Sequence, residues 1–252
     1  MSLKTGEREQ RIISLLETRG ELSIKVLGDI LDISPSTLRK QLSEMQTKGL
    51  VIRTYGGVMS VNRIPDESFD NKLRRNMGEK RLIAERARSL IREGQSIALG
   101  SGTTVYALCT LLGDLRRCAF YTNSMQAAEH LASSGELEVH ICGGIIRSRT
   151  GTVIGGDVAR FFEKYTVDVA FVGCDTIDSR GVVYSDNLAV ASAERAVLAN
   201  AKQKYILCDT SKFGRSSIAA ITSLSECDGL ITCSMPRSIA EDYRAYTNII
   251  YA

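Results

Sequence analysis

Apolar positions recur at helical spacing three times in the first fifty residues of the chain, and two short runs of β character follow them. The predicted helices and strands of this segment cover residues 7–20, 24–31, 35–48, 50–55 and 58–61. The third helix begins at Ser34-Pro35, which is a typical helix start because serine caps the first turn and proline fits its first position. Three helices and a hairpin over residues 1–61 predict a winged helix-turn-helix domain.

After residue 94 the apolar positions form short runs separated by helical patterns. The strand-like runs cover residues 96–99, 119–122, 139–142, 169–172, 205–208 and 230–233. The helical patterns between them cover residues 103–112, 124–133, 157–165 and 187–201. This alternation predicts an α/β fold with a mostly parallel sheet over residues 77–252. Residues 62–76 contain Pro65 and lack clean periodicity, so we expect a linker there.

The third predicted helix has two different faces. Leu38, Leu42 and Met45 fall within one narrow sector, while hydroxyl-bearing and basic side chains lie on the opposite side. Hydroxyls and cations suit phosphate contacts and base edges in a major groove, although an ordinary amphipathic helix would show the same pattern. With the hairpin included, the candidate DNA-binding residues are Ser34, Ser36, Thr37, Arg39, Lys40, Ser43, Arg53 and Tyr55.

Charge is distributed unevenly along the 252 residues. The formal net charge of +3 comprises +2 over residues 1–61, +3 over residues 62–93 and −2 over residues 94–252. A basic first third is compatible with contact to nucleic acid, and also with an ordinary solvated surface. The chain has no run of 18 apolar residues and begins without an apolar leader, so we expect neither a membrane span nor a secretory signal.

The seven cysteines are widely spaced and form no C-x-x-C pair. Most of them lie in apolar runs, which favours reduced, buried thiols in a cytoplasmic protein. Only two histidines are present and neither is near paired cysteines, so we expect no zinc site, no other metal and no cofactor.

Small and polar residues follow the predicted strands directly. Because parallel strands bring their carboxyl ends to one edge of a sheet, these loops should converge on one crevice. The glycine-rich loop 100–104 and Lys212 could hold an anion, while Asn123, Asp175 and Glu194 could bind sugar hydroxyls. The alternatives are a plain strand-to-helix turn, a solvated lysine and a glutamate facing water. The candidate effector-binding residues are Ser101, Gly102, Thr103, Thr104, Thr122, Asn123, Ser124, Gly143, Gly144, Asp175, Glu194 and Lys212.

These motifs, in this order, resemble the DeoR family of bacterial transcriptional regulators. The resemblance is carried by residues 34–40 (SPSTLRK), 49–58 (GLVIRTYGGV), 102–104 (GTT), 122–124 (TNS), 143–144 (GG), 171–173 (FVG), Glu194 and 209–214 (DTSKFG). It implies a regulator, usually a repressor, of sugar-catabolism genes that binds double-stranded operator DNA as a dimer or tetramer. It also implies a phosphorylated sugar as effector, and an effector domain similar to ribose-5-phosphate isomerase and CoA-transferase folds.

Three positions depart from the family's usual pattern. Gly100 stands where an acidic residue is common, Thr176 where a glycine is usual, and Gln41 where an aspartate is common. The alternative function is a sugar-phosphate isomerase with a regulatory N-terminal domain, in which Glu194 or Asp175 would be the base. Neither residue lies in a motif tied to proton abstraction, so we expect a regulator without catalytic residues rather than an enzyme.

Overall fold

The computed structural model describes residues 5–19, 22–47, 50–53, 57–60, 68–214, 216–235 and 237–252. The chain divides into two compact units, Met1–Asp66 and Glu67–Ala252. Each unit has a hydrophobic core of its own. Within the described parts of the chain, every helix is too short or too polar to span a bilayer.

The first unit contains three helices and a two-stranded hairpin. The elements are α1 (Thr5–Arg19), α2 (Ile24–Leu31), α3 (Pro35–Thr47), β1 (Val51–Arg53) and β2 (Val58–Ser60). Ser23 caps α2 by accepting a hydrogen bond from the Val26 amide, and Asp32 ends it in the left-handed region at φ 53°. Leu38, Leu42 and Met45 of α3 are fully buried, as the predicted apolar face requires.

A close backbone approach ties the hairpin to the helices. The Leu22 and Val58 backbones exchange hydrogen bonds of 2.9 and 2.8 Å, so residue 22 pairs with β2 just before α2 begins. Gly57 lies beside this bridge, and a Cβ atom there would stand 2.3 Å from the Leu22 carbonyl oxygen. The glycine is therefore required by the contact. The predicted winged helix-turn-helix arrangement is confirmed in the described residues.

The second unit is built on a seven-stranded parallel sheet. Its strands and the small antiparallel ones are β3 (Ser96–Leu99), β4 (Ala119–Thr122), β5 (Glu138–Ile141), β6 (Ile145–Arg147), β7 (Thr152–Ile154), β8 (Val167–Gly173), β9 (Thr176–Ile177), β10 (Val182–Ser185), β11 (Ala201–Leu207), β12 (Ala219–Ser223), β13 (Gly229–Thr232) and β14 (Ile249–Tyr251). Its helices are α4 (Phe69–Arg74), α5 (Met77–Arg88), α6 (Thr103–Cys109), α7 (Met125–Ser133), α8 (Gly156–Phe162), α9 (Leu188–Ala199) and α10 (Arg237–Arg244).

The strand order of the main sheet is β14-β13-β11-β8-β3-β4-β5, with every neighbouring pair parallel. The chain therefore winds from β3 outward through β4 and β5, and then returns to the other side of β3 at β8. This reversal makes the boundary between β3 and β8 the topological switch point, where ligands bind in open parallel sheets. The predicted α/β fold with a mostly parallel sheet is confirmed.

Two separate cores cover the two faces of the sheet. Side chains alternate along β8, so that Val169 and Phe171 pack with α5, α6 and α7, while Ala170 and Val172 pack with α8 and α9. Strands buried on both sides explain the continuous apolar runs seen in the sequence.

Residues 68–76, which were predicted to be part of a linker, are folded in the structure. Residues 62–67 lie outside the described residues, but 68–76 contain α4 and belong to the second unit. Ser68 caps α4, the Phe69 amide donates to the Arg149 carbonyl at 3.0 Å, and the Phe69 ring packs edge-on against Tyr106. Tertiary contacts rather than local periodicity therefore order this segment.

Candidate functional site

The candidate site lies at the switch point, where the loops after β3 and β8 run side by side. The Gly100 amide donates to the Phe171 carbonyl at 2.9 Å, and a Cβ atom on Gly173 would lie 3.6 Å from the Ser101 carbonyl oxygen. The loops after β4 and β11 border the same edge, because their strands are parallel to β3 and β8. Most of the predicted effector residues lie on these loops.

Glu194 of α9 is buried beneath the β3 loop, with 2% of its surface exposed. Its Oε1 atom accepts hydrogen bonds from the Ser101 amide (2.9 Å), the Ser101 hydroxyl (2.5 Å) and the Asn123 amide (3.3 Å). Burial raises the pKa of Glu194 to about 7, against the opposing effect of these donors. The sequence alternative of a glutamate facing water is therefore wrong.

Gly100 leaves room for that carboxyl group. A Cβ atom at position 100 would stand 2.1 Å from Glu194 Oε2 and 3.1 Å from Val172 Cγ2. The glycine thus permits the Glu194 carboxyl to lie against the β3 loop. Among the described residues, Glu194 Oε2 and Asn123 Oδ1 are buried without a hydrogen-bond partner.

Asp175, two residues beyond the last paired residue of β8, is the centre of a charged cluster. Its Oδ1 accepts from Lys72 Nζ at 2.9 Å, and its Oδ2 accepts from the Ser185 hydroxyl and the Asp186 amide, each at 3.0 Å. Burial opposes ionisation of Asp175, but the Lys72 ammonium and the Asp186 amide outweigh it and lower the pKa below its ordinary value. Asp175 is therefore a carboxylate at neutral pH.

The loop after β11 is held by the same segment that supplies Lys72. Asp209 is buried, and its Oδ1 accepts from Asn76 Nδ2 at 2.9 Å and from the Ser211 hydroxyl at 2.5 Å. Thr210 donates its amide and its hydroxyl to the Glu79 carboxylate, each at 2.8 Å. Residues 68–80, called the strap below, therefore bind both loops at the sheet edge.

A buried lysine fixes the strap internally. Lys80 is 4% exposed, and its ammonium donates to the backbone carbonyls of Lys72 and Arg75, the latter at 2.7 Å. Because the strap's own carbonyls bind this charge, the turn between α4 and α5 is closed and Lys72 is directed at Asp175.

Two further cations act on Asp175. The charge of Lys212 also lowers the pKa of Asp175, and Arg147 of β6 interacts electrostatically with the same carboxylate. Burial lowers the pKa of Arg147, while Asp175 opposes that shift. Lys72 thus contacts the Asp175 carboxylate, and Arg147 and Lys212 act on it electrostatically.

Several predicted effector residues have structural roles. Ser101 donates to Glu194, Thr122 Oγ1 accepts from the Ser124 amide at 3.0 Å, and Ser124 Oγ caps α7 by accepting from the Ala127 amide. Thr103 and Thr104 are each 8% exposed, whereas Gly102 is exposed at φ 103°. The hydroxyl and amide of Ser101 are already bound, so the anion hypothesis depends on the cations and not on that serine.

Gly143, Gly144 and Thr176 lie in or beside the small antiparallel sheets, whose geometry accounts for their environments. Gly144 has φ 145°, and a Cβ atom there would stand 2.5 Å from the Ile154 carbonyl oxygen at the end of the β6–β7 hairpin. Its neighbour Gly143 is exposed with open space around it. Thr176 is buried and pairs with Tyr184 of β10, so it begins a strand and is not part of an open loop.

Five further residues contact the site without having been predicted from the sequence: Lys72, Asn76, Glu79, Arg147 and Ser185. Lys72 and Asn76 lie in the segment predicted as a linker, Glu79 lies near the start of the predicted α/β domain, and Arg147 lies in a hairpin that was not predicted. One available signal was the composition of α9, in which Ser192, Glu194 and Arg195 are the polar residues among alanine, valine and leucine. A carboxyl group in a helix with so few polar positions is a candidate for burial.

The candidate DNA face lies on α3 of the first unit. Ser36, Thr37, Arg39, Lys40 and Ser43 are all exposed on the side opposite its buried leucines. Ser34 is also exposed, and its hydroxyl lies 2.9 Å from that of Thr37 at the start of the helix. Gln41 is 5% exposed, so this departure from the family pattern bears on packing. Tyr55 and the Arg53 side chain lie outside the described residues.

Two family models match the chain. The model described as the DeoR-like helix-turn-helix domain matches residues 8–63, and the model described as the DeoR C terminal sensor domain matches residues 75–234. The chain belongs to the DeoR family. With a helix-turn-helix domain and a sensor domain both matched, the prediction of a DNA-binding transcriptional regulator is confirmed.

Relatives of this DeoR-family protein match along nearly the whole chain. It is 28% identical over 237 residues to the glycerol-3-phosphate regulon repressor of Haemophilus influenzae, covering 94% of this chain and 92% of the relative. It is 30% identical over 228 residues to the transcriptional regulator GlpR of Haloferax volcanii, covering 90% and 89%. Ribose-5-phosphate isomerase A of Methanocaldococcus jannaschii aligns at 22% identity over 55% of each chain, with a TM-score of 0.42.

The described residues contain no group of three or more histidine, cysteine, aspartate or glutamate side chains arranged to hold a metal ion.

Proposed function

We propose that this DeoR-family protein represses a sugar-catabolism operon and that a phosphorylated sugar, bound at the switch point of the sensor unit, releases it from operator DNA. Relatives named glycerol-3-phosphate regulon repressor, from Haemophilus influenzae and Escherichia coli, support the class of effector. The observation that carries the proposal is the group of three cations that act on Asp175.

The DNA-binding half of the proposal uses the exposed face of α3. Arg39 and Lys40 supply cations for phosphates and base edges, and Ser34, Ser36, Thr37 and Ser43 supply hydroxyl donors. Arg53 and Tyr55 complete the proposed interface. Two or more copies of the chain would place their α3 helices in successive major grooves at repeated half-sites.

The phosphate of the effector is assigned to Lys72, Arg147 and Lys212. These three cations act on Asp175, and Lys212 acts on Asp209 as well, so a phosphate dianion would compete with these two carboxylates for the same cations. Arginine offers a planar fork to phosphate oxygens, whereas the lysines act as point charges. The slightly acidic charge of residues 94–252 makes this local cluster, rather than a general field, the source of attraction.

The hydroxyl groups of the effector are assigned to the acidic and amide side chains at the bottom of the crevice. Glu194 Oε2 and Asn123 Oδ1 are buried acceptors without partners among the described residues, which is costly unless a ligand donates to them. A sugar hydroxyl can donate to either oxygen. We assign Gly102, Gly143, Gly144, Thr103, Thr104, Thr122 and Ser124 to the walls of the same space, because they lie at or just after the carboxyl ends of β3, β4 and β5.

The strap provides the proposed coupling between effector and DNA. A phosphate that binds Lys72 competes with Asp175, and a shift of Asp209 alters the contact to Asn76. Both changes act on residues 68–80, which are the part of the sensor unit nearest in sequence to the DNA-binding unit. The effector must favour one strap arrangement over the other, since equal affinity for both would shift no equilibrium.

A thermal-shift series on the full chain tests the effector half. Sugar phosphates, the matching unphosphorylated sugars and inorganic phosphate are compared, and a specific sugar phosphate should raise the melting temperature by mass action. At one hundred times its Kd, the ligand stabilises the folded state by about 2.7 kcal/mol. Lys212→Ala and Arg147→Ala should abolish the shift.

Lys202→Ala is the matched control, because Lys202 lies on the opposite end of β11 and pairs with Asp168 at 2.8 Å. It should keep the full response. A Lys212→Ala protein that still answers the same sugar phosphate at the same concentration would contradict the assignment. A gel-shift titration with the DNA upstream of the chain's own gene, with and without that sugar phosphate, tests release.

A further inference from the structure

Two thiols lie side by side at the carboxyl edge of the main sheet. Cys174 directly follows β8 and Cys208 directly follows β11. These parallel strands are neighbours in a register that pairs Gly173 with Leu207, so the next residue of each strand also lies opposite its counterpart. The Cys174 and Cys208 sulfur atoms are 3.6 Å apart, and both residues are free cysteines.

The two thiols differ in their access to solvent. Cys174 is partly exposed, whereas Cys208 is buried with 1% of its surface exposed. The Cys174 thiol donates to Cys208 Sγ, and the Cys208 thiol donates to the Asp209 carbonyl at 3.5 Å. A reagent arriving from water therefore reaches Cys174 first and finds Cys208 directly behind it.

Among the described residues, which include all seven cysteines, no other two thiols lie within hydrogen-bond distance. Cys118, Cys227 and Cys233 instead donate to backbone carbonyls. Burial raises the pKa of the Cys208 thiol well above its ordinary value, which suits a second, resolving thiol better than a first nucleophile.

We propose that Cys174 and Cys208 form a reversible oxidation site that takes a hydroperoxide as its oxidant and closes as a disulfide. The Cys174 sulfur attacks one peroxide oxygen as its thiol gives up its proton, the O–O bond breaks, and the proton joins the leaving hydroxide, so the products are a sulfenic acid and water. The Cys208 sulfur then attacks the Cys174 sulfur, and the sulfenic oxygen leaves as water with the Cys208 proton. Two thiols are oxidised while one hydrogen peroxide is reduced to two waters.

The backbone already suits this bond. Neighbouring strands lie about 4.8 Å apart, within the range of about 4.4–6.8 Å that disulfides span between Cα atoms. Closing the bond requires the sulfur atoms to approach by about 1.5 Å, which side-chain rotation supplies. The crosslink would join the loops that carry Asp175 and Asp209 and fix their separation.

Oxidation of the reduced, folded, full-length protein with a small excess of hydrogen peroxide tests the site. The intact mass should fall by two hydrogens, and the titratable thiols should fall from seven to five. Tryptic peptides 165–180 and 205–212 should be recovered linked, and dithiothreitol should separate them. Oxidation of the folded protein without this linked pair would overturn the proposal, as would a link that appears only after denaturation.

Variants identify the thiols. Cys174→Ser should retain the remaining thiols after the same treatment, whereas Cys227→Ser, which removes another partly exposed thiol, should form the linked pair as the wild type does. If the Cys174→Ser variant still loses two thiols after this treatment, the assignment is refuted. If Cys208→Ser fails to fold, the wild-type peptide map still decides the question.

Discussion

Replacing Gly100 by alanine tests the packing of the β3 loop against the Glu194 carboxyl. The new Cβ atom would stand 2.1 Å from Glu194 Oε2, so the carboxyl must move by more than an ångström. It cannot move freely, because Oε1 is bound by two groups of Ser101 and by Asn123. The new Cβ atom would also stand 3.1 Å from Val172 Cγ2, so it cannot simply turn away from the carboxyl. Steric strain costs about 1–3 kcal/mol, and each charged hydrogen bond that is lost adds about 1.5–3 kcal/mol.

We therefore expect Gly100→Ala to lower the free energy of unfolding of the sensor unit by about 2–4 kcal/mol. For a unit of this size the melting temperature should fall by about 5–15 °C, measured by scanning calorimetry. Gly143→Ala is the matched control, because a Cβ atom there meets nothing within 4 Å and the position is exposed. It should change stability by no more than about 0.5 kcal/mol.

A double-mutant cycle isolates the cause. In a Glu194→Ala background the clash is gone, so Gly100→Ala should cost less than about 1 kcal/mol, with a coupling energy of about 2 kcal/mol. An equal cost of Gly100→Ala in both backgrounds would refute the reasoning, since the destabilisation would then come from the backbone and not from the carboxyl group.

Three further predictions concern Glu194, the DNA face and the hairpin. The pKa of Glu194 in the folded protein is about 7, above its ordinary value of 4.5. The protonated carboxyl group therefore stabilises the folded state most below pH 4.5, and this stabilisation is lost as pH rises through about 7. The total loss is roughly 3 kcal/mol. Glu194→Gln should therefore flatten the pH dependence of unfolding in that window, and an unchanged profile would contradict it. Arg39→Ala should weaken operator binding and reduce the salt slope in a gel-shift titration, while Lys25→Ala, an exposed lysine of α2, serves as comparison; equal effects of the two would remove the assigned role. Gly57→Ala should destabilise the first unit by about 1–3 kcal/mol in chemical denaturation, because its Cβ atom would meet the Leu22 backbone at 2.3 Å, and full stability would show that the bridge can yield.

The sequence predicted those features that depend on local periodicity. The buried face of α3 followed from Leu38, Leu42 and Met45, and the parallel strands followed from continuous apolar runs. Parallel topology then brought the loops after several strands to one edge, which is why Asn123 and Asp175 could be predicted to lie at the same edge of the sheet. The small antiparallel strands of the second unit and β14 were missed, since runs of two to five residues carry little pattern.

The strap could not be predicted because its partners are distant in sequence. Lys72 is 103 residues from Asp175, and Asn76 is 133 residues from Asp209. A charged segment without apolar periodicity has the same composition as a solvated linker, and only the folded sheet edge supplies the carboxylates that order it. Arg147 was missed for the related reason that its position depends on the β6–β7 hairpin.

The strap also determines where hybrid regulators can be joined. Residues 68–80 carry side chains that fit the sensor loops of this chain, namely Lys72 to Asp175, Asn76 to Asp209 and Glu79 to Thr210. A fusion cut inside this stretch would combine half of one contact set with half of another and leave carboxylates without their partners. A fusion made before residue 68 would transfer the sensor unit with all three of these contacts. DNA-binding domains from other regulators should therefore be joined at that boundary.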